Sequence, residues 1–110
     1  MYTERAIRTI KEHDKSNPLF LMVSYQSPHS PIMKAPNHYR DQYRDVKILG
    51  GIDRAATITA LDKGVGDIVA ELKKQDLYRN SFILFSSDNG GSSDQFNIPL
   101  RGRKDQVNSN

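Results

Sequence analysis

Asp88 and Asn89 end a short apolar run, FILFSSDNGG at residues 82–91, and are followed directly by Gly90 and Gly91. A carboxylate and an amide side by side present oxygen atoms suited to a hard divalent cation, and two glycines admit backbone geometries and close approaches that a β-carbon would block. The same letters also describe an ordinary type I′ turn between two strands. His29 stands in SPHSP between Pro28 and Pro31, where it can serve as a general acid near neutral pH, contact an anion, or simply cap loop backbone. Arg101, Arg103 and Lys104 in PLRGRK surround Gly102, a basic cluster suited either to an anionic group or to plain solvation.

These residues need elements to hold them. Thr3 can cap a first helix over residues 3–15, with Glu4 in its first turn, Lys11 and Lys15 in its last, and Ala6, Ile7 and Ile10 on one side. Ser16, Asn17 and Pro18 break it, and residues 19–25 (LFLMVSY) read as a buried strand. Residues 26–52, with Pro28, Pro31 and Pro36, form a long connection that short helical turns can interrupt. Ile58, Leu61, Val65, Ile68 and Leu72 then repeat at spacings of three and four and predict a helix over residues 53–75. Gly64 and Gly66 inside it each cost about 1 kcal/mol relative to Ala, which points to close packing or local bending. The second strand is FILFSS. Strand, connection, helix and strand compose a β-α-β unit, which normally gives a parallel pair with a right-handed crossover and would bring SPHSP and SSDNGG to one edge of the sheet.

Composition narrows the classes. The 110 residues leave no room for a second domain, and a formal charge of +3, with Lys and Arg scattered among Asp and Glu, argues against nucleic-acid binding. With no Cys there is no disulfide framework, zinc-thiolate site or thiol nucleophile. No apolar run reaches the roughly 20 residues of a membrane span, the charged opening MYTERAIRTIKEHDK is not a signal peptide, and no Asn-x-Ser/Thr sequon occurs. Residues 105–110 read as a loose polar tail; Asp94, His13 and His38 read as surface groups.

Taken together, PLFLMVSYQSPHSP, LDKGVGDIVAELKK, FSSDNGG and PLRGRK resemble, in order and spacing, four segments of the sulfatase family, in its arylsulfatase B-like branch. The resemblance spans residues 1–104 and implies part of an alkaline-phosphatase-like α/β catalytic domain: a helix, then a β-α-β unit with mostly parallel strands. It implies hydrolysis of sulfate esters such as sulfated glycans or aryl sulfates, with a divalent cation, usually calcium. It further implies that Asp88 and Asn89 are metal ligands, that His29 contacts the sulfate and its leaving group, and that Lys104 contacts the sulfate. Relatives in this branch are lysosomal or secreted.

The sequence departs from the family at defined places. The family oxidises a Cys or Ser in Cys/Ser-x-Pro-x-Arg to formylglycine, its nucleophile, and this chain has no Cys and no Ser-x-Pro-x-Arg. The family's paired acidic ligands, and the Lys and His that follow the nucleophile, would lie upstream of residue 1. Calcium takes about 6–8 oxygen ligands, so Asp88 and Asn89 alone predict poor affinity. After GRK the family continues with an aromatic and a Glu-Gly-Gly-like stretch, where this chain has DQVNSN, leaving Lys104 without a downstream anchor. These features predict an internal piece of a sulfatase catalytic domain, marginally folded and inactive alone. A non-catalytic fragment binding sulfated glycans and a metal-dependent phosphoesterase of the same superfamily are the competing readings; oligomeric state is not legible.

Overall fold

The computed structural model describes residues 1–29, 31, 34–45, 47 and 49–106, the side chain of Asp94 excepted. Helix α1 runs over Tyr2–Glu12 and buries Ala6 and Ile10, the latter completely. Its start differs from expectation: Met1 is the cap residue, and the Thr3 hydroxyl instead pairs with the Tyr25 hydroxyl at 2.7 Å. It also stops short of Lys15, because Asp14 offers the backbone an alternative turn. The Asp14 carboxylate accepts from Ser16 N–H at 3.0 Å, Ser16 Oγ at 2.9 Å and Asn17 Nδ2 at 3.0 Å. The Ser16 backbone bond, seconded by its hydroxyl, holds that carboxyl below the usual carboxylate range. The turn is therefore firm above that range and loosens as pH falls through Asp14's own lowered value.

Helix α3 (Gly51–Lys74) follows a short helix α2 (Asn37–Arg40) and a 3-10 turn (Asp41–Tyr43) that interrupt the long connection. Arg40 Nε meets Asp53 Oδ1 at 2.6 Å and the Tyr43 hydroxyl bonds that of Thr59, so both turns are fastened to the first half of α3. The predicted helix is thus present, two residues earlier at its start, but its most deeply buried line is not the predicted apolar stripe. Thr57, Gly64 and Glu71 are buried, while of the predicted stripe Leu72 is buried, Leu61, Val65 and Ile68 are only half-covered and Ile58 is exposed. At 3.6 residues per turn, that seven-residue line lies roughly a quarter-turn from the stripe. Small side chains win this seam because α1 approaches closely: a β-carbon on Gly64 would sit 2.6 Å from Thr3 Oγ1 and 3.0 Å from the Tyr25 hydroxyl. Buried Glu71 is satisfied by the Gln75 amide at 2.8 Å, with Lys11 Nζ 4.0 Å away.

A β-carbon on Gly66, by contrast, would meet nothing within 4 Å. Gly66→Ala is therefore expected to raise stability by about 1 kcal/mol, the usual helical gain. In Gly64→Ala that gain is offset by displacing Thr3 from its hydrogen bond, worth about 0.5–1.5 kcal/mol. The two urea midpoints, read by far-UV circular dichroism, should separate; equal gains would refute the close-packing account.

The expected parallel strand pair is not formed: among the described residues there is no β-ladder. Along residues 19–25 coverage alternates, with Leu19, Leu21, Val23 and Tyr25 partly covered while Phe20 is 91% exposed and Met22 is exposed. That period of two is the signature of an extended segment covered on one side. Residues 82–87 are uncovered throughout, with Phe82 also 91% exposed. Both runs have strand composition but, among the described residues, no strand neighbour to complete their backbone hydrogen bonds. The total surface is 9106 Å², against about 6,200 Å² for a compact protein of this mass. The radius of gyration is 16.8 Å, against about 13 Å for a compact domain of this length. Among the described residues no helix is long and apolar enough to cross a membrane. Of the predicted polar tail, residues 105 and 106 are exposed and residues 107–110 lie outside the described ones.

Candidate functional site

The run 82–87 ends at Asp88, and the turn that follows shapes the donor atoms locally. Asp88 Oδ1 accepts from Asn89 N–H at 2.8 Å, Ser87 Oγ donates to the Asn89 carbonyl at 2.6 Å, and Asn89 Nδ2 donates to the Gly90 carbonyl at 2.9 Å. With its nitrogen committed to Gly90, the Asn89 amide keeps its oxygen for a cation, and Asp88 keeps Oδ2. Both residues are exposed.

The type I′ alternative does not hold. That turn needs positive φ at both central residues, and neither Asn89 nor Gly90 has it. Space, not dihedral freedom, makes these positions glycine. A β-carbon on Gly90 would lie 2.6 Å from Asn97 Nδ2, and one on Gly91 would lie 2.5 Å from Phe96 Cβ. The 3-10 turn Asp94–Phe96 folds back over the glycines, and the Phe96 ring is held beneath the Arg54 guanidinium at 4.4 Å, a cation–π contact that ties this loop to the start of α3.

The basic segment meets the same turn. Lys104 N–H donates to the Gly91 carbonyl at 2.8 Å, and Gly102, left-handed at φ +82°, accepts from Asn97 Nδ2 at 2.6 Å. Lys104 is thus anchored upstream, by Gly91, and needs no downstream anchor for its backbone. Its side chain and that of Arg103 are exposed. His29 is also exposed, but among the described residues no hydrogen bond or ion pair joins it to Asp88, Asn89 or Lys104. The structure therefore unites two of the three predicted segments, DNGG and GRK, and does not bond the third to them. His13 and His38 have local partners: the His13 ring bonds the Asn17 carbonyl at 2.9 Å, and the His38 ring lies against that of Tyr39, tilted by 45° with centroids 4.0 Å apart.

Asp88 and Asn89 fit a hard cation in kind but not in number. Two side-chain oxygens fall short of the about 6–8 that calcium takes, and no cluster of three or more His, Cys, Asp or Glu among the described residues can hold a metal. Sequence reasoning missed Asn97 and Phe96; an Asn ahead of Ile-Pro-Leu in a turn-rich stretch is the signal that could have found the former.

The sulfatase family model matches residues 1–110. The chain is 41% identical over 106 residues to "Arylsulfatase J" of Mus musculus, covering 94% of this chain and 18% of that protein. It is 33% identical over 102 residues to "Uncharacterized sulfatase YdeN" of Escherichia coli K12, covering 91% and 18%. It is 27% identical over 93 residues to "N-acetylgalactosamine-6-sulfatase" of Mus musculus, covering 84% and 16%. The chain thus spans less than a fifth of the length of these relatives.

Proposed function

We propose, because this chain belongs to the sulfatase family, that it is part of an alkaline-phosphatase-like catalytic domain that hydrolyses sulfate esters of sulfated sugars or aryl alcohols. The observation that carries this reading is the match of the family model across residues 1–110; the bonding of the GRK segment to the DNGG turn supports it. In such a domain residues 19–25 and 82–87 are strands of a mostly parallel sheet, whose neighbours supply the missing ladder bonds.

The chemistry follows from charge. As the sulfur–oxygen bond to the leaving alcohol breaks, negative charge grows on that oxygen, and protonated His29 delivers its proton there. Lys104, a compact ammonium on a flexible stem, neutralises the sulfate without demanding planar geometry. Asp88 Oδ2 and Asn89 Oδ1 supply two donors toward a divalent-cation site whose remaining donors are not among the described residues. The attacking group is likewise not among these residues, which include no Cys and no Ser-x-Pro-x-Arg.

The test is a transplant: residues 1–110 replace the matching segment of a relative such as mouse arylsulfatase J. The folded chimera should hydrolyse a chromogenic aryl sulfate with calcium present, and the 110-residue chain alone should not. A folded but inert chimera would overturn the reading. Turnover by the chain alone would mean that hydrolysis proceeds without the formylglycine segment. A second reading, sulfated-glycan binding without turnover, is favoured by the exposed side chains of Arg103 and Lys104; it requires salt-sensitive glycan binding by the chain alone and is lost without it.

A further inference from the structure

We infer, resting on the sulfatase reading of the site, that Asn97 is a positioning residue whose carboxamide sets the spacing between the Asp88–Asn89 turn and Lys104. The amide is used at both ends. Its Oδ1 accepts from Gly91 N–H at 2.8 Å and its Nδ2 donates to the Gly102 carbonyl at 2.6 Å. A third bond, Lys104 N–H to the Gly91 carbonyl at 2.8 Å, runs directly between the two segments. These three hydrogen bonds, with the backbone from Gly102 through Arg103 to Lys104, close a ring in which Asn97 supplies the bonding side chain.

The ring has a fixed reference. Leu100 N–H bonds the Asn97 carbonyl at 2.6 Å, so the 97–100 turn is itself closed. The preceding residue, Phe96, lies under Arg54 of α3. The glycines complete the fit, since a β-carbon at either Gly90 or Gly91 would strike Asn97 or Phe96. Asn is the side chain this geometry wants: one short planar group that both accepts and donates. Asp keeps the acceptor for Gly91 but turns the donor into a second acceptor facing the Gly102 carbonyl, and Ala keeps neither.

The functional consequence concerns distance. Lys104 is a point charge on a long stem, so where its charge reaches depends on where its backbone is held. A sulfate bridging the cation donors and Lys104 must find both within one span, and Asn97 determines that span without touching the ligand. Asn97 also stands apart from the α1–α3 seam that supports the helices.

The test compares the wild-type chain with Asn97→Ala and Asn97→Asp by hydrogen–deuterium exchange at low micromolar concentration, read by mass spectrometry with fragmentation that separates the Gly91 and Lys104 amides. Both amides should exchange slowly in the wild type. Asn97→Ala should accelerate both by about tenfold or more while α3 amides keep their rates; such local release is what loss of a tether produces. Asn97→Asp should retain protection at Gly91 while releasing Lys104, a split that a packing role, preserved by the isosteric side chain, would not give. Unprotected Gly91 and Lys104 in the wild type, an unchanged Lys104 in Asn97→Ala, or equal acceleration along α3 would each overturn the inference. Titration of the folded chimera, the relative carrying residues 1–110, with inorganic sulfate decides the reading beneath it: absence of binding there removes the sulfate assignment, while the exchange pattern of the chain still decides the clamp.

Discussion

His29→Ala, placed in a complete sulfatase domain carrying residues 1–110, is expected to lower aryl-sulfate turnover by about 10²–10⁴-fold. That range corresponds to about 2.7–5.4 kcal/mol of barrier, the amount lost when a leaving alkoxide must depart without its proton. The other two histidines are internal controls. His13 is occupied with the Asn17 carbonyl and His38 with the Tyr39 ring, so His13→Ala and His38→Ala should leave turnover within a few-fold. The kinetic parameters separate two versions of the role. A fall in kcat identifies proton delivery, whereas a rise in KM with kcat unchanged identifies His29 as a sulfate contact only. Unchanged kcat and KM would remove His29 from the site altogether.

The second large effect is expected at Phe82 and depends on what surrounds the chain. In isolation Phe82 and Phe20 are each 91% exposed, so Phe82→Lys should change the chain's stability by less than about 0.5 kcal/mol. In the complete domain the same run is proposed to be a buried strand, and a lysine there should cost about 3 kcal/mol or more for an unpaired charge among apolar neighbours. Chemical denaturation of the two proteins with and without the substitution gives the comparison directly. Equal, small effects in both would mean that residues 82–87 are not a core strand. The isolated chain carries roughly 2,900 Å² more surface than a compact protein of its mass, an area in the range of obligate interfaces. It should therefore associate with itself as concentration rises and bind an apolar dye, and the combined Phe20→Lys and Phe82→Lys substitutions should suppress both. A monomer with a sharp, concentration-independent unfolding transition would contradict this account.

The sequence by itself determined the two long helices, the break after the first, the interrupted connection, and the segments that identify the family. These are legible because helix hydrogen bonds close within four residues, so spacing and breakers carry the information. The motifs likewise state their chemistry by residue type. Tertiary structure alone decided the rest. Whether residues 19–25 and 82–87 pair depends on partners that no local pattern can supply, since ladder bonds are non-local. Which side of α3 meets α1 was decided by the close approach at Gly64, where Thr3 and Tyr25 occupy the space of a side chain, against the apolar stripe that periodicity favoured. Gly90 and Gly91 were read as glycines of turn geometry or close approach; only the packing of Asn97 and Phe96 against them shows that space is the reason. Lys104, for which the motif pattern predicts no downstream anchor, is held by Gly91, because hydrogen bonds between distant loops depend on how the chain folds back and not on what comes next along it.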